Sequence, residues 1–157
     1  MNKIAEYIST LFGIGLFPKA PGTAGTLFAA LVYITLPNSW TASTNNFLLF
    51  SAILILLTLF SVPMISKAEE KFGKDNGKIV LDEFFGYFVA ILFLPKKLEI
   101  IIAAFILFRI FDILKPEPVN ILQKLPKGWG VVVDDIMAGI YANLSLQFII
   151  WLKVKII

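Results

Sequence analysis

Apolar residues in this chain come in long blocks, separated by short polar punctuation. From Ala20 to Ser66 no residue is charged, a run of 47. Residues 24–36 are apolar, 37–46 (PNSWTASTNN) read as a polar turn, and 47–65 are apolar again. This pattern predicts a helical hairpin. A helix needs about 20 apolar residues to cross the ~30 Å hydrocarbon core of a bilayer. The second arm meets that length alone. The first reaches it only with Pro21–Thr23 or Pro37 in the interface. Beyond the hairpin, 84–95, 100–108 and 136–152 are uncharged. The pattern predicts five helices, at about 23–37, 47–65, 80–94, 98–114 and 134–153. Residues 4–17 are apolar but carry Glu6, Ser9 and Thr10. They are too short to span and predict an interfacial helix. The expected fold is all-α: one domain over 1–157, a polytopic membrane bundle of about five helices plus that N-terminal helix.

Composition supports the pattern. Of 157 residues, 58% are hydrophobic and 16% charged, against ~25% charged in ordinary soluble domains. Mean hydropathy is +0.84. The N-terminus does not read as a signal peptide, because Pro18-Lys19 stands where a small-residue cleavage site belongs. With the N-terminus placed inside, ten Lys/Arg residues fall on the inner side and four on the outer. That bias predicts an N-in, C-out topology. It also assigns the net charge of +3 to membrane orientation rather than to nucleic-acid binding. Nothing in the pattern indicates an oligomeric state.

The chain has no cysteine and no histidine. Thiol nucleophiles, Ser-His and Cys-His triads and His- or Cys-ligated metals are therefore excluded. Chemistry is left to carboxylates, Lys, Arg, hydroxyls and backbone. Helix parity places four polar motifs on the inner face. They are 20–26 at the start of the first helix, Asp82-Glu83 at the start of the third, Arg109, Asp112 and Lys115 at the end of the fourth, and Asp134-Asp135 at the start of the fifth.

Each motif also has a plain structural reading. Pro21 and Thr23 are helix-start residues. Gly22 and Gly25 allow close packing, and acids suit a helix N-terminus. Arg109 and Asp112 are spaced to pair on one helix face. Yet one acid suffices as a cap, and here adjacent pairs occur twice, in GKIVLDEFFG (77–86) and GVVVDDIMAG (130–139). Both read glycine, apolar run, acid pair, glycine, an echo of an internal repeat. Gathered carboxylates repel unless something positive lies among them. Oxygen-only ligands suit Mg²⁺, Mn²⁺ or Ca²⁺. The stretch 67–78 alternates Lys with Glu69, Glu70 and Asp75, and reads as a solvated amphipathic link at anionic head groups.

Four blocks, GLFPKAPGTAGT (15–26), VLDEFFG (80–86), FRIFDILKPEP (108–118) and GVVVDDIMAG (130–139), resemble the phosphatidylglycerophosphatase A family, in family order. The resemblance implies Mg²⁺-dependent hydrolysis of the terminal phosphate of phosphatidylglycerophosphate, a lipid of the bacterial cytoplasmic membrane, with the site on the cytoplasmic face. Some relatives carry a histidine before the block at 80–86; this chain reads Lys74-Asp75-Asn76-Gly77 there.

Together with the residue chemistry, the resemblance implies Mg²⁺ on Asp82, Glu83, Asp134 and Asp135. Asp112 is a further ligand or the partner of Arg109. Phosphate falls to Arg109, Lys115 and the helix-start segment Gly22, Thr23, Gly25 and Thr26. Water attack is the default and a phospho-aspartate the alternative. The rival readings are an ion or proton transporter, a membrane phosphatidyltransferase and a non-catalytic assembly protein. The first predicts acids strung through the bilayer, the second an Asp-Gly/Ala-Arg signature that is absent here, and the third leaves the acid pairs unexplained.

Overall fold

The computed structural model describes residues 3–38, 40 and 43–156. Ser39, Thr41 and Ala42, in the turn expected at 37–46, lie outside the described residues. Among the described residues there are seven α-helices and no strands. They are α1 (Lys3–Ser9), α2 (Pro21–Thr35), α3 (Thr44–Phe72), α4 (Leu81–Ile91), α5 (Leu98–Leu114), α6 (Val119–Leu122) and α7 (Gly128–Ile156), with a 3₁₀ turn at Ile14–Leu16.

α4 is the centre of the bundle. Its 11 residues reach only ~16 Å at about 1.5 Å each, too short to cross a bilayer. Nearly all of them are buried, including Phe85, Tyr87, Phe88 and Ile91. α4 packs most extensively on α7, then on α2, α5 and α3. Its last carbonyls, at Val89, Ala90 and Leu92, are collected by the Asn143 amide of α7, at 3.2, 3.1 and 2.5 Å. That buried side chain stands in for the missing next turn of helix. The expectation of a helix over 80–94 is therefore corrected: it stops at Ile91 because tertiary donors satisfy its end.

Two helices, α3 and α7, are long and apolar enough to cross a membrane. The five crossing helices expected from the pattern are supported no further than these two. α3 runs well past residue 65, through Pro63 to Phe72. Residues 67–72 are thus helix rather than link, and only 73–80 are loop. Ser43 caps its start by accepting from the Asn46 N–H at 3.3 Å. α7 begins six residues earlier than expected. Its Gly128 N–H donates to Ser66 Oγ of α3 at 3.0 Å, and a Cβ on Gly128 would press on the α3 backbone at Val62 and Ser66. The early start is a docking event between two helices, which periodicity alone does not encode.

The N-terminal segment is a short helix rather than one continuous interfacial helix. Leu11, Phe12 and Gly13 all have positive φ and end α1. Glu6 of α1 pairs with Lys71 of α3 at 2.5 Å. Ser9 O accepts from Val80 N–H at 2.9 Å, which ties this segment to the residue before α4. The expected helix over 98–114 coincides with α5. α2 starts at Pro21, its first turn pre-set by proline after a left-handed Ala20.

Candidate active site

The two echoing motifs meet where their glycines cross. Gly86 lies on α4 and Gly139 on α7, each four residues after Asp82 and Asp135. A Cβ on Gly86 would come within 2.8 Å of the Asp135 carbonyl and 2.7 Å of the Phe108 ring. One on Gly139 would strike the Gly86 carbonyl. Only glycine permits this approach. It sets one acid of each pair a single turn beyond the crossing, facing the other. One ligand oxygen each from Asp82, Glu83 and Asp135 lies within 4.8 Å of the other two.

These carboxylates are almost out of solvent: Asp82 is 6% exposed, Glu83 9% and Asp135 3%. Asp82 Oδ1, Glu83 Oε2 and Asp135 Oδ2 are buried with no hydrogen-bond partner. Asp82 is repelled by Glu83, Asp135 and Asp134, and Asp135 by Asp112, Glu83 and Asp134. Three orphaned oxygens converging from two helices is an unfavourable arrangement for the protein alone. It fits a hard divalent cation with oxygen ligands. Neither acid pair is a helix cap. Val80 and not an acid holds the N-cap position of α4, and Asp134 and Asp135 lie inside α7.

Asp134, expected among the metal ligands, turns elsewhere. Its Oδ2 accepts from Lys115 Nζ at 2.5 Å and its Oδ1 from the Asp135 N–H at 3.1 Å. Lys115, expected to face phosphate, caps α5 in a left-handed conformation. It also lies 3.9 Å from Asp75. Burial works against the Lys115 charge, but the hydrogen bond and charge of Asp134, with Asp75 and Asp135 beyond, raise its pKa above the usual lysine value. Asp75 in turn accepts from the Gln123 amide. This contact joins the loop before α4 to the segment between α6 and α7. The sequence carries no signal for it, because both partners lie in loops brought together only by the fold.

Arg109 and the start of α2 form the second half of the site. Arg109 Nη1 binds Asp112 Oδ2 at 2.6 Å, as the i,i+3 spacing requires. The same Nη1 reaches Thr26 Oγ1 at 3.5 Å. Thr26 is fully buried, and its hydroxyl donates to the Gly22 carbonyl at 2.9 Å. A Cβ on Gly22 would strike the Glu83 carboxylate and come within 3.1 Å of Arg109 Nη1. The missing side chain at Gly22 therefore leaves room for the guanidinium and the Glu83 carboxylate to approach α2 side by side. Gly25 instead packs on Val80, where a Cβ would approach to 2.8 Å, a packing role. Thr23 is half-buried and lines an apolar groove with Arg109.

All eleven sequence-predicted residues thus lie at one end of the bundle, in three groups. Asp82, Glu83 and Asp135 converge. Arg109 joins Asp112 to Thr26 and Gly22, with Thr23 and Gly25 on the same helix start. Lys115 and Asp134 pair beside them.

A family model described as Phosphatidylglycerophosphatase A matches residues 7–150. The chain belongs to the phosphatidylglycerophosphatase A family. Members of this family are phosphoric monoester hydrolases acting in phospholipid metabolism. The chain is 36% identical over 154 residues to a Bacteroides thetaiotaomicron protein named "Putative phosphatidylinositol-3-phosphatase", covering 92% of each. It is 40% identical over 134 residues to a Haemophilus influenzae phosphatidylglycerophosphatase A, covering 83% of this chain and 79% of that one. An Escherichia coli phosphatidylglycerophosphatase A is 33% identical over 141 residues, covering 88% and 78%. No solved structure matches the chain. Membership in this family makes the chain an enzyme, which removes the transporter and assembly-protein readings.

Proposed function

We propose that this chain is a divalent-cation-dependent phosphatase of the bacterial cytoplasmic membrane that hydrolyses the terminal phosphate of phosphatidylglycerophosphate. The observation that carries this reading is the union of three orphaned carboxylate oxygens with an Arg109–Thr26–Gly22 cradle, whose arginine also lines an apolar groove. Asp82, Glu83 and Asp135 would hold Mg²⁺, which when bound neutralises phosphate charge and makes water a better nucleophile. Arg109 is held by Asp112 with its guanidinium toward the α2 start, ready to fork onto phosphoryl oxygens. The first N–H groups of α2 add a positive helix end. Asp134 orients Lys115, so this pair flanks the phosphate position without taking up the metal. Water supplies the new oxygen on phosphorus, the P–O bond to glycerol breaks, and the leaving alkoxide takes a proton.

The Haemophilus and Escherichia relatives carry the name of this activity. The Bacteroides relative's name concerns an inositol lipid and supports a second reading, in which the terminal phosphate sits on an inositol head group. Purified protein in detergent should release phosphate from phosphatidylglycerophosphate with Mg²⁺ and not with EDTA. Release only from a phosphatidylinositol phosphate would shift the assignment to the second reading, and no release from either would end both.

The membrane reading rests on α3 and α7 and on the apolar side chains left exposed around them. Leu48, Leu56 and Phe60 on α3 and Leu144, Phe148 and Trp151 on α7 are all more than half exposed, a surface suited to lipid rather than water. The lysine bias supports an orientation with the site on the cytoplasmic face. The absence of cysteine makes a single reporter clean. A cysteine replacing the exposed Lys97, in the α4–α5 turn, should react with a membrane-impermeant thiol reagent from the periplasmic side. Labelling only from the cytoplasm would overturn the topology.

A further inference from the structure

The turn that ends α3 holds Asp75 at the edge of the site. The Asp75 N–H donates to Glu69 Oε1 at 3.2 Å, and the Asn76 amide donates to the Phe72 carbonyl at 2.8 Å. Asp75 has a φ of 50°, a left-handed backbone that few residues besides glycine, asparagine and aspartate accept readily. Two residues on, a Cβ on Gly77 would lie 3.7 Å from the Pro21 ring. The turn therefore reaches from the start of α2 to the end of α5. There the Asp75 carboxylate has two partners. Lys115 Nζ lies 3.9 Å away, and the Gln123 amide donates to it. Gln123 is itself pressed onto the first turn of α7, where a Cβ on Gly130 would strike its carbonyl. Neither Asp75 nor Gln123 is among the eleven residues expected at the site.

Lys115 thus stands between two unlike carboxylates. The Asp134 side chain is 2% exposed and bonds the ammonium at 2.5 Å, whereas the Asp75 side chain is 39% exposed. Paired with Asp134 alone, the ammonium would be drawn inward and the two charges would satisfy each other. Asp75 pulls from the rim, and an ammonium has three N–H donors to share. We infer that Asp75, clasped by Gln123, is a positioning residue that holds the Lys115 ammonium at the rim of the site with one N–H left for a phosphoryl oxygen. This rests on the phosphatase reading and deepens it, because it lets a lysine bonded to a buried aspartate still serve the phosphate. The sign of the effect separates this role from a plain charge effect. Asp75 is an anion beside an anion site, so by Coulomb's law alone its removal tightens phosphate binding. If it places Lys115, its removal loosens phosphate instead.

The test compares Asp75→Asn and Gln123→Ala with the wild type in detergent with Mg²⁺, and repeats Asp75→Asn in a Lys115→Ala background. Asparagine accepts the same left-handed backbone, so the turn survives. Two constants are read: KM for phosphatidylglycerophosphate, and the affinity of inorganic phosphate from the melting shift it induces, which needs no turnover. Asp75→Asn should weaken both by about three- to fivefold, the size of one partly exposed ion pair, with kcat falling by less. Gln123→Ala, which removes the clasp and keeps the charge, should shift both the same way. Lys115→Ala should weaken phosphate by itself, and in that background Asp75→Asn should weaken it no further, since no ammonium is left to place. Unchanged or tighter phosphate in any single variant, or a loss from Asp75→Asn that persists without Lys115, would overturn the positioning role and leave the phosphatase reading standing. A wild type that releases no phosphate from this lipid would bring down the phosphatase reading, and this assignment with it.

Discussion

Asp135→Asn should reduce Mg²⁺-dependent phosphate release by about 10³-fold or more, the scale of several kcal/mol expected from losing a metal that activates water and neutralises phosphate. Asparagine keeps the shape of the side chain. It places an amide, half of it a donor, where Asp135 Oδ2 now points unpartnered into the carboxylate cluster. The fold should survive the change. Asp135 is 3% exposed and is repelled by Asp112, Glu83 and Asp134. Removing its charge relieves that repulsion, so without divalent cation the variant should melt no lower than the wild type. With Mg²⁺, the wild type should gain thermal stability, because an ion that binds only the folded state stabilises it. The variant should gain little. Detergent-phase melting with and without Mg²⁺ separates the two effects. Full activity in Asp135→Asn, or an undiminished Mg²⁺-induced shift, would sink the metal assignment.

Arg109→Lys should cost about 10²-fold in kcat while leaving the protein folded, a loss of the size seen when one donor to a developing anion is removed. Lysine keeps the positive charge beside Asp112, but it cannot fork onto two phosphoryl oxygens while also reaching Thr26. Arg109→Ala should do more. The Arg109–Asp112 pair is largely buried, at 16% and 12% side-chain exposure. Breaking it leaves Asp112 uncompensated near Asp135 and Glu83, a loss of roughly 3 kcal/mol for a buried pair. The expected signature is therefore a split. Lys retains stability and loses activity, and Ala loses both. Near-wild-type turnover by the lysine variant would remove Arg109 from the phosphate site and leave it a structural ion pair.

Much of the candidate site is legible along the chain. Without histidine or cysteine, chemistry had to rest on the few charged residues, and the two acid pairs stood out because one cap needs one acid. The i,i+3 spacing of Arg109 and Asp112 made their pairing readable before any fold was known. The glycine following each acid pair was readable too, as an echo. Its meaning was not: Gly86 and Gly139 matter because α4 and α7 cross there, and no single helix records where its partner will cross it. The distribution of roles among the acids was equally hidden. Asp134 and Asp135 are adjacent, so on a helix they point about 100° apart. One faces Lys115 and the other the carboxylate cluster. Adjacent letters read as a pair; the helix separates them.

Helix limits follow the same division. Pro21 and Ser43 open α2 and α3, two and three residues before the expected starts at 23 and 47, and periodicity sets the extent of α5. The end of α3 was placed seven residues short, and the end of α4 and the start of α7 were misplaced because partners supply them. Asn143 closes the end of α4 and Ser66 receives the first amide of α7. These contacts span tens of residues, beyond any sequence window. The sequence by itself determined that the chain is helical and apolar, that without histidine or cysteine the candidate chemistry is left to carboxylates, Lys, Arg, hydroxyls and backbone, and that the four polar motifs gather at one end. The tertiary structure alone decided which acids converge, which one is spent on Lys115, and that a short central helix presents the cluster. The physical reason is range. Hydrophobic period, caps and charge spacing act within a turn or two of helix, whereas convergence of orphaned oxygens depends on where two helices cross.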